Sequence, residues 1–141
     1  MRLNLYDPEG QEVAWRAVSF TLTADSGQAT ATAVFDGLAD LLPWSSEHPT
    51  LYTLEVAQLD AEGHEEMAFA TKYGFRKVEI KNNVVYVNDQ RVYFKGANTQ
   101  DTHPVHGRSI DVPTMLRDVV MMKQANMNTV RCSHYPRQHK M

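Results

Sequence analysis

Cysteine is almost missing from this chain of 141 residues. Cys132 stands alone, which excludes a disulfide framework and any metal centre built on paired thiolates. Long apolar runs are missing too. No stretch approaches the ~20 residues that a bilayer-crossing helix needs. The first residues, Met1 to Glu12, lack the apolar core of a signal peptide. If the chain is cut from a longer one, its own start carries no address, so the compartment, cytoplasmic or periplasmic, is left undecided. Charge of one sign is also scarce. The net charge is −3 and the lysines and arginines are scattered, so neither nucleic acid nor a membrane is expected as a partner. HExxH, P-loop and GxGxxG patterns are all absent. His103 and His106 lie three apart in a stretch with no nearby Cys or Glu, so no metal site is expected there.

What is present is ordinary for a globular protein, with 43% apolar and 22% charged residues. Residues 1–80 read as short strands separated by polar turns. Leu3-Asn4-Leu5-Tyr6 alternates and stops at Asp7-Pro8-Glu9-Gly10. Val18-Ser19-Phe20-Thr21-Leu22 alternates and ends near Gly27. Residues 30–35 make a further run closed by Asp36-Gly37. Leu51-Tyr52-Thr53-Leu54-Glu55-Val56 and residues 69–75 complete the series. Strands at this spacing predict an antiparallel β-sandwich.

The pattern changes after about residue 78. Val78-Glu79-Ile80 and Val84-Val85-Tyr86-Val87 flank Lys81-Asn82-Asn83. Residues 84–95 read as a hairpin in which Asn88-Asp89-Gln90-Arg91 separates Val87 from a second strand running through Val92-Tyr93-Phe94 into Lys95-Gly96-Ala97-Asn98. Residues 99–110 hold Pro104 and Gly107 and read as a loop. Asp111 is a helix N-cap and Pro113 fits a first turn. Met115, Leu116, Val119, Val120 and Met122 then form a helical apolar stripe, and Asn126 and Asn128 sit where the helix would stop. Residues 129–133 are a short strand. Strand, loop, helix, strand is a βαβ unit whose strands should be parallel. Two parallel strands complete no α/β sheet or barrel, so the chain is expected to be a truncated piece. Its apolar faces around Val92, Phe94, Val119 and Val130 should then be left uncovered.

In parallel α/β folds, ligands gather at the carboxyl ends of the strands. That rule selects two clusters: Asn98, Thr99, Gln100, Asp101, Thr102 and His103 after the first strand, and Arg131, Ser133, His134 and Tyr135 around the second. A rim so dense in donors and acceptors suits a polyhydroxylated ligand. The plainer alternative has Asn98 closing a turn and His103 capping the helix. His48 and His64 read as turn or surface residues, and the methionines as core filler. Cys132 and His134 lie two apart along one strand, which disfavours a cysteine nucleophile with a histidine base.

Four segments taken in order resemble glycoside hydrolase family 2, its β-galactosidases above all. They are Tyr93-Phe94-Lys95-Gly96-Ala97-Asn98, Thr102-His103-Pro104-Val105-His106-Gly107-Arg108, Met121-Met122-Lys123-Gln124-Ala125-Asn126 and Val130-Arg131-Cys132-Ser133-His134-Tyr135-Pro136. Upstream, the Trp44 to Tyr52 stretch and Gly74-Phe75-Arg76 resemble the end of that family's immunoglobulin-like sandwich. The resemblance implies an immunoglobulin-like β-sandwich over residues 1–80, possibly incomplete. Residues 81–141 would then be the first βαβ unit of a truncated (β/α)8 TIM barrel.

The resemblance also implies retaining hydrolysis of terminal β-D-galactosides by two carboxylates. Both glutamates come from later barrel strands. Glu47, Glu55, Glu62, Glu65, Glu66 and Glu79 fall outside the barrel part, so none is assigned catalysis, and the isolated chain is expected to be inactive. What carries over is substrate-binding support. His134 matches a sugar-bonding histidine and Arg131 an arginine beside the nucleophile. Asn98 matches a positioning asparagine and His103 the last histidine of the loop motif. Gln100 takes the place of a sugar-contacting histidine, and Asp101 follows it. No cofactor is expected in this stretch. The family's Mg2+ and monovalent-cation ligands are expected elsewhere, and the parent is expected to be a homo-oligomer. Two alternatives are a β-glucuronidase of the same family and a non-catalytic carbohydrate- or partner-binding sandwich module.

Overall fold

The computed structural model describes residues 1–19, 30 and 32–137. They divide into two compact units, one of residues 1–81 with 86–90, the other of residues 82–85 with 91 onward.

The first unit is built on an antiparallel sheet of β1 (Arg2–Tyr6), β2 (Glu12–Ala17), β3 (Tyr52–Leu59) and β4 (Glu65–Tyr73), in the order β2-β1-β3-β4. Residues paired across strands share a face. Leu3 pairs with Val56 and Val56 with Phe69; Leu5 pairs with Leu54. These make one apolar face, on which Leu5, Tyr52 and Val56 are buried. The opposite face holds Arg2, Asn4 and Glu55. Arg2 donates to Glu65 at 2.8 Å, and Asn4 donates to Glu12 at 2.7 Å. Burying each large apolar side chain stabilises the unit by roughly 1.5–3 kcal/mol. The described part of this unit thus supplies one sheet of the expected sandwich.

Two strand expectations need correction. Residues 30–35 are not a strand where they are described. Arg16 instead donates to the Val34 carbonyl at 3.0 Å, pairs with Asp36 and lies over the Phe35 ring, so this segment is held by a side chain rather than by a ladder. Val18 and Ser19 lie just past a strand end, and the rest of the expected 18–22 strand falls outside the described residues. The strand formed in that region is β2.

Next come β5 (Val78–Lys81), β6 (Val84–Val87) and β7 (Gln90–Arg91), paired in that order. Both turns place two residues in the left-handed region, Asn82 and Asn83 at φ 51° and 63°, Asn88 and Asp89 at φ 49° and 60°. Such turns match the twist of tight hairpins, and Asn and Asp tolerate them best among side-chain-bearing residues. Asn88 does more. Its Oδ1 accepts from the Lys77 N–H at 2.9 Å and its Nδ2 donates to the Trp44 carbonyl at 2.9 Å. The expected second strand through residues 92–94 is not formed. It is only Gln90–Arg91 long, because the turn is closed two residues earlier than the apolar run suggests.

The second unit contains β8 (Gly96–Thr99), α1 (Val112–Gln124) and β9 (Thr129–Cys132). β8 and β9 are parallel, with Gly96 opposite Thr129, Ala97 opposite Val130, Asn98 opposite Arg131 and Thr99 opposite Cys132. Asp111 is the N-cap of α1, its carboxylate accepting from the Thr114 N–H at 3.0 Å. The helix ends at Ala125, followed by Asn126 at φ 58°. Asn128 does not stop the helix. It latches the strand entrances: its Oδ1 accepts from the Lys95 N–H and its Nδ2 donates to the Tyr93 carbonyl, each at 2.9 Å. Of the apolar stripe on α1 only Met115 is fully buried, while Leu116 is 63% exposed. Phe94 and Val119 are exposed as well.

Candidate functional site

The parallel pairing brings the two predicted clusters to one edge. Asn98 and Arg131 are cross-strand partners, and Arg131 Nη1 lies 3.5 Å from Asn98 Oδ1. Both side chains are exposed. A shallow groove of about 270 Å³ runs along Phe94, Gly96, Ala97, Asn98, Thr129 and Arg131. Gly96 is required for this close pairing: a Cβ there would meet the Thr129 carbonyl oxygen at 2.0 Å. No group of three or more His, Cys, Asp or Glu residues among the described residues is arranged to hold a metal ion.

Beyond the last paired residues the two segments stay together. The Ser133 N–H donates to the Thr99 carbonyl at 3.0 Å, extending the ladder by one rung. The Tyr135 hydroxyl accepts from the Asp101 N–H at 2.9 Å. Arg137, which the sequence reading did not select, reaches back to the same place. Its Nε donates to Asp101 Oδ1 at 2.5 Å, and its Nη1 lies 3.5 Å from Thr99 Oγ1. Nη2 is also 2.5 Å from Asp101 Oδ1, but out of line for a hydrogen bond. The Arg137 side chain is 1% exposed and that of Asp101 14%. The only sequence signal for Arg137 is its place two residues past Tyr135.

Gln100 and His134 are exposed, each lying between two of these anchored neighbours. The Asp101 carboxylate is already engaged by Arg137, whereas Gln100 and His134 present their side chains outward. His103 closes the following loop. Its backbone exchanges hydrogen bonds with Gly107 at 2.7 and 3.0 Å, and Gly107 takes φ 63°. His103 Nδ1 accepts from the Val105 and His106 N–H groups, each at 3.1 Å. The His106 ring stacks on the His103 ring at 4.5 Å. The loop ends at Asp111, whose carboxyl is held below the usual range by the Thr114 hydroxyl and then by the Thr114 N–H. Cys132 is exposed and free.

What this edge offers is a cation at Arg131, amide groups at Asn98 and Gln100, and an imidazole at His134. Such a set can bind hydroxyl groups and stabilise an anion. It contains no paired carboxylates for acid–base work. Glu79 is tied to Lys77 and Lys81 at 2.8 and 2.9 Å. Those two ammonium groups hold its carboxyl below the usual range.

Residues 78–141 match the family model described as the TIM barrel domain of glycosyl hydrolases family 2, and residues 1–76 match a second model described as glycosyl hydrolases family 2. Among curated proteins, a β-galactosidase from Pectobacterium atrosepticum is 46% identical over 93 residues, 66% of this chain and 9% of that protein. A β-galactosidase from Erwinia tasmaniensis is 42% identical over 95 residues, 67% of this chain and 9% of that protein. Among solved structures, a β-glucuronidase from Ruminococcus gnavus in complex with D-glucuronic acid aligns with 99% of this chain and 22% of its own. Its TM-score is 0.79 at 27% identity. The chain therefore spans under a tenth of the curated relatives it matches.

Proposed function

This chain belongs to glycosyl hydrolase family 2, and from that premise we propose that it contributes part of the sugar pocket of a retaining β-galactosidase. The observation that carries the reading is the pairing of Asn98 with Arg131 at the carboxyl edge of two parallel strands, with Gln100 and His134 a few residues further along. The unit β8-α1-β9 is read as the opening of a (β/α)8 barrel.

In such a pocket the roles follow from the chemistry of each group. Retention requires one carboxylic acid to protonate the leaving oxygen and a second carboxylate to attack the anomeric carbon. Both would be supplied by chain outside these residues, since no glutamate follows Glu79. Arg131 would keep the attacking carboxylate ionised, because a fixed guanidinium favours the charged form of a neighbouring acid. His134 and Gln100 would bind sugar hydroxyls. Bonds that shorten as the ring flattens lower the barrier more than bonds made equally well in the ground state.

Galactoside is preferred as substrate on the identity to two β-galactosidases. The likeness to β-glucuronidase structures supports a second reading, in which a uronic acid is the sugar. The test compares the 141-residue chain with a full-length enzyme carrying it, on chromogenic β-galactosides and β-glucuronides. Turnover by the full-length enzyme and none by the chain alone is expected. Equal turnover by the chain refutes the missing-carboxylate argument, and a preference for the glucuronide refutes the choice of sugar.

A further inference from the structure

We infer that Asp101 and Arg137 are positioning residues, a buried clamp that sets where Gln100 and His134 stand. The inference rests on the sugar-pocket reading above. Two short segments, residues 99–101 and 133–135, run side by side past the end of the β8–β9 ladder. Their outer members are joined. Thr99 accepts from Ser133, and Asp101 donates its N–H to the Tyr135 hydroxyl. The middle members, Gln100 and His134, are the exposed ones. Each candidate sugar-binding side chain is thus held by its two neighbours.

Arg137 closes this arrangement from behind. Nε and Nη2 converge on one oxygen, Asp101 Oδ1, at 2.5 Å, while Nη1 faces Thr99 Oγ1 at 3.5 Å. One guanidinium therefore touches both anchored residues of the first segment from a position just past the second. A planar fork suits this task better than an ammonium, because its donors are held in fixed directions. The side chain is 1% exposed, so the pair is shielded from the salt screening that weakens surface ion pairs. Asp101, placed among the sugar contacts by its neighbourhood, is reassigned here to the support of those contacts.

The test uses the full-length enzyme and counts folded sites with a fluorosugar that traps the glycosyl-enzyme. This separates lost protein from lost function. Misplacing a binding group by about 1 Å can cost about 10²-fold in rate. Arg137→Met is therefore expected to lower kcat per titrated site by about that factor, and Arg137→Lys by less. The double variant Asp101→Asn with Arg137→Met should be no worse than Arg137→Met alone, because the two groups act as one. If Arg137→Met does not fold, Arg137→Lys carries the test through its own kcat per titrated site. A value within about threefold of the unaltered enzyme for every variant that folds, whatever their melting temperatures, overturns the clamp. An unaltered enzyme that hydrolyses no β-glycoside instead overturns the functional reading, and the clamp's assignment with it.

Discussion

Replacing Gly96 by alanine probes the pairing on which the site depends. The added Cβ would stand 2.0 Å from the Thr129 carbonyl oxygen, 2.7 Å from its carbonyl carbon and 3.0 Å from its Cβ. Nonbonded heavy atoms settle at roughly 3.5 Å, so the first of these contacts is about 1.5 Å too short. Two of the three atoms are backbone, and no rotamer change relieves them. The strands must part at their entrance, or Thr129 must leave the ladder. Overpacking of this kind costs typically 1–3 kcal/mol and occasionally more. A rigid backbone neighbour puts Gly96→Ala at about 3 kcal/mol, near a 10²-fold loss in the folded-to-unfolded ratio. Urea unfolding of the full-length enzyme, read through the barrel domain, measures the cost. Activity per titrated site should fall too, because Asn98 and Arg131 lie only two residues further along the ladder. A stability change below about 0.5 kcal/mol, the usual range for surface substitutions, would show that β8 and β9 do not approach in this way.

Three further outcomes follow from the turns and caps. Asn88→Ala loses two side-chain hydrogen bonds and leaves alanine at a left-handed position. It should cost about 2 kcal/mol, whereas Asp89→Gly at the next position should be neutral or stabilising; paired thermal melts compare them. Asp111→Ala removes the α1 cap and should cost about 1 kcal/mol, seen as lost helical ellipticity at 222 nm. The Asp111 carboxyl titrates below its unfolded value. Its contribution is therefore complete above the usual carboxylate range, about pH 4, and disappears as pH falls through the lower folded value. The difference in melting temperature between the unaltered protein and Asp111→Ala should shrink toward pH 2, a range chosen to lie below ordinary carboxylate titration. A constant difference would contradict the assigned cap.

The second half of the chain was the more readable. Asp111, Pro113 and the apolar stripe from Met115 mark α1 through capping and period alone, and the left-handed asparagines mark both tight turns. β2 was hidden for a physical reason. A register shift opposite Leu5 and Tyr6 interrupts its alternation. Ala14 and Arg16 pair with Leu5 and Leu3 on the apolar face, while Trp15 is 56% exposed. Such a strand is held by its backbone ladder to β1, and a search for alternating apolar residues passes it by. Residues 30–35 misled in the opposite sense, because Val34 and Phe35 resemble a strand but are fixed by Arg16. At the proposed site, strand-end position grouped Asn98, Gln100, Asp101 and His103 in one cluster and Arg131 and His134 in another, and the β8–β9 pairing puts Asn98 beside Arg131. Arg137 was not accessible in that way. It reaches across to a residue 36 positions earlier, a distance along the chain that no local pattern encodes.

The latch at Asn128 has a consequence for protein engineering. Because one amide side chain bridges Tyr93 and Lys95, the entrances of the two strands are joined without help from the helix between them. The exposed positions of the intervening helix are then expected to tolerate exchange. Variants with new surface sequences on α1 are expected to keep the spacing of the far rim, provided that Asn128 and the buried Met115 are retained.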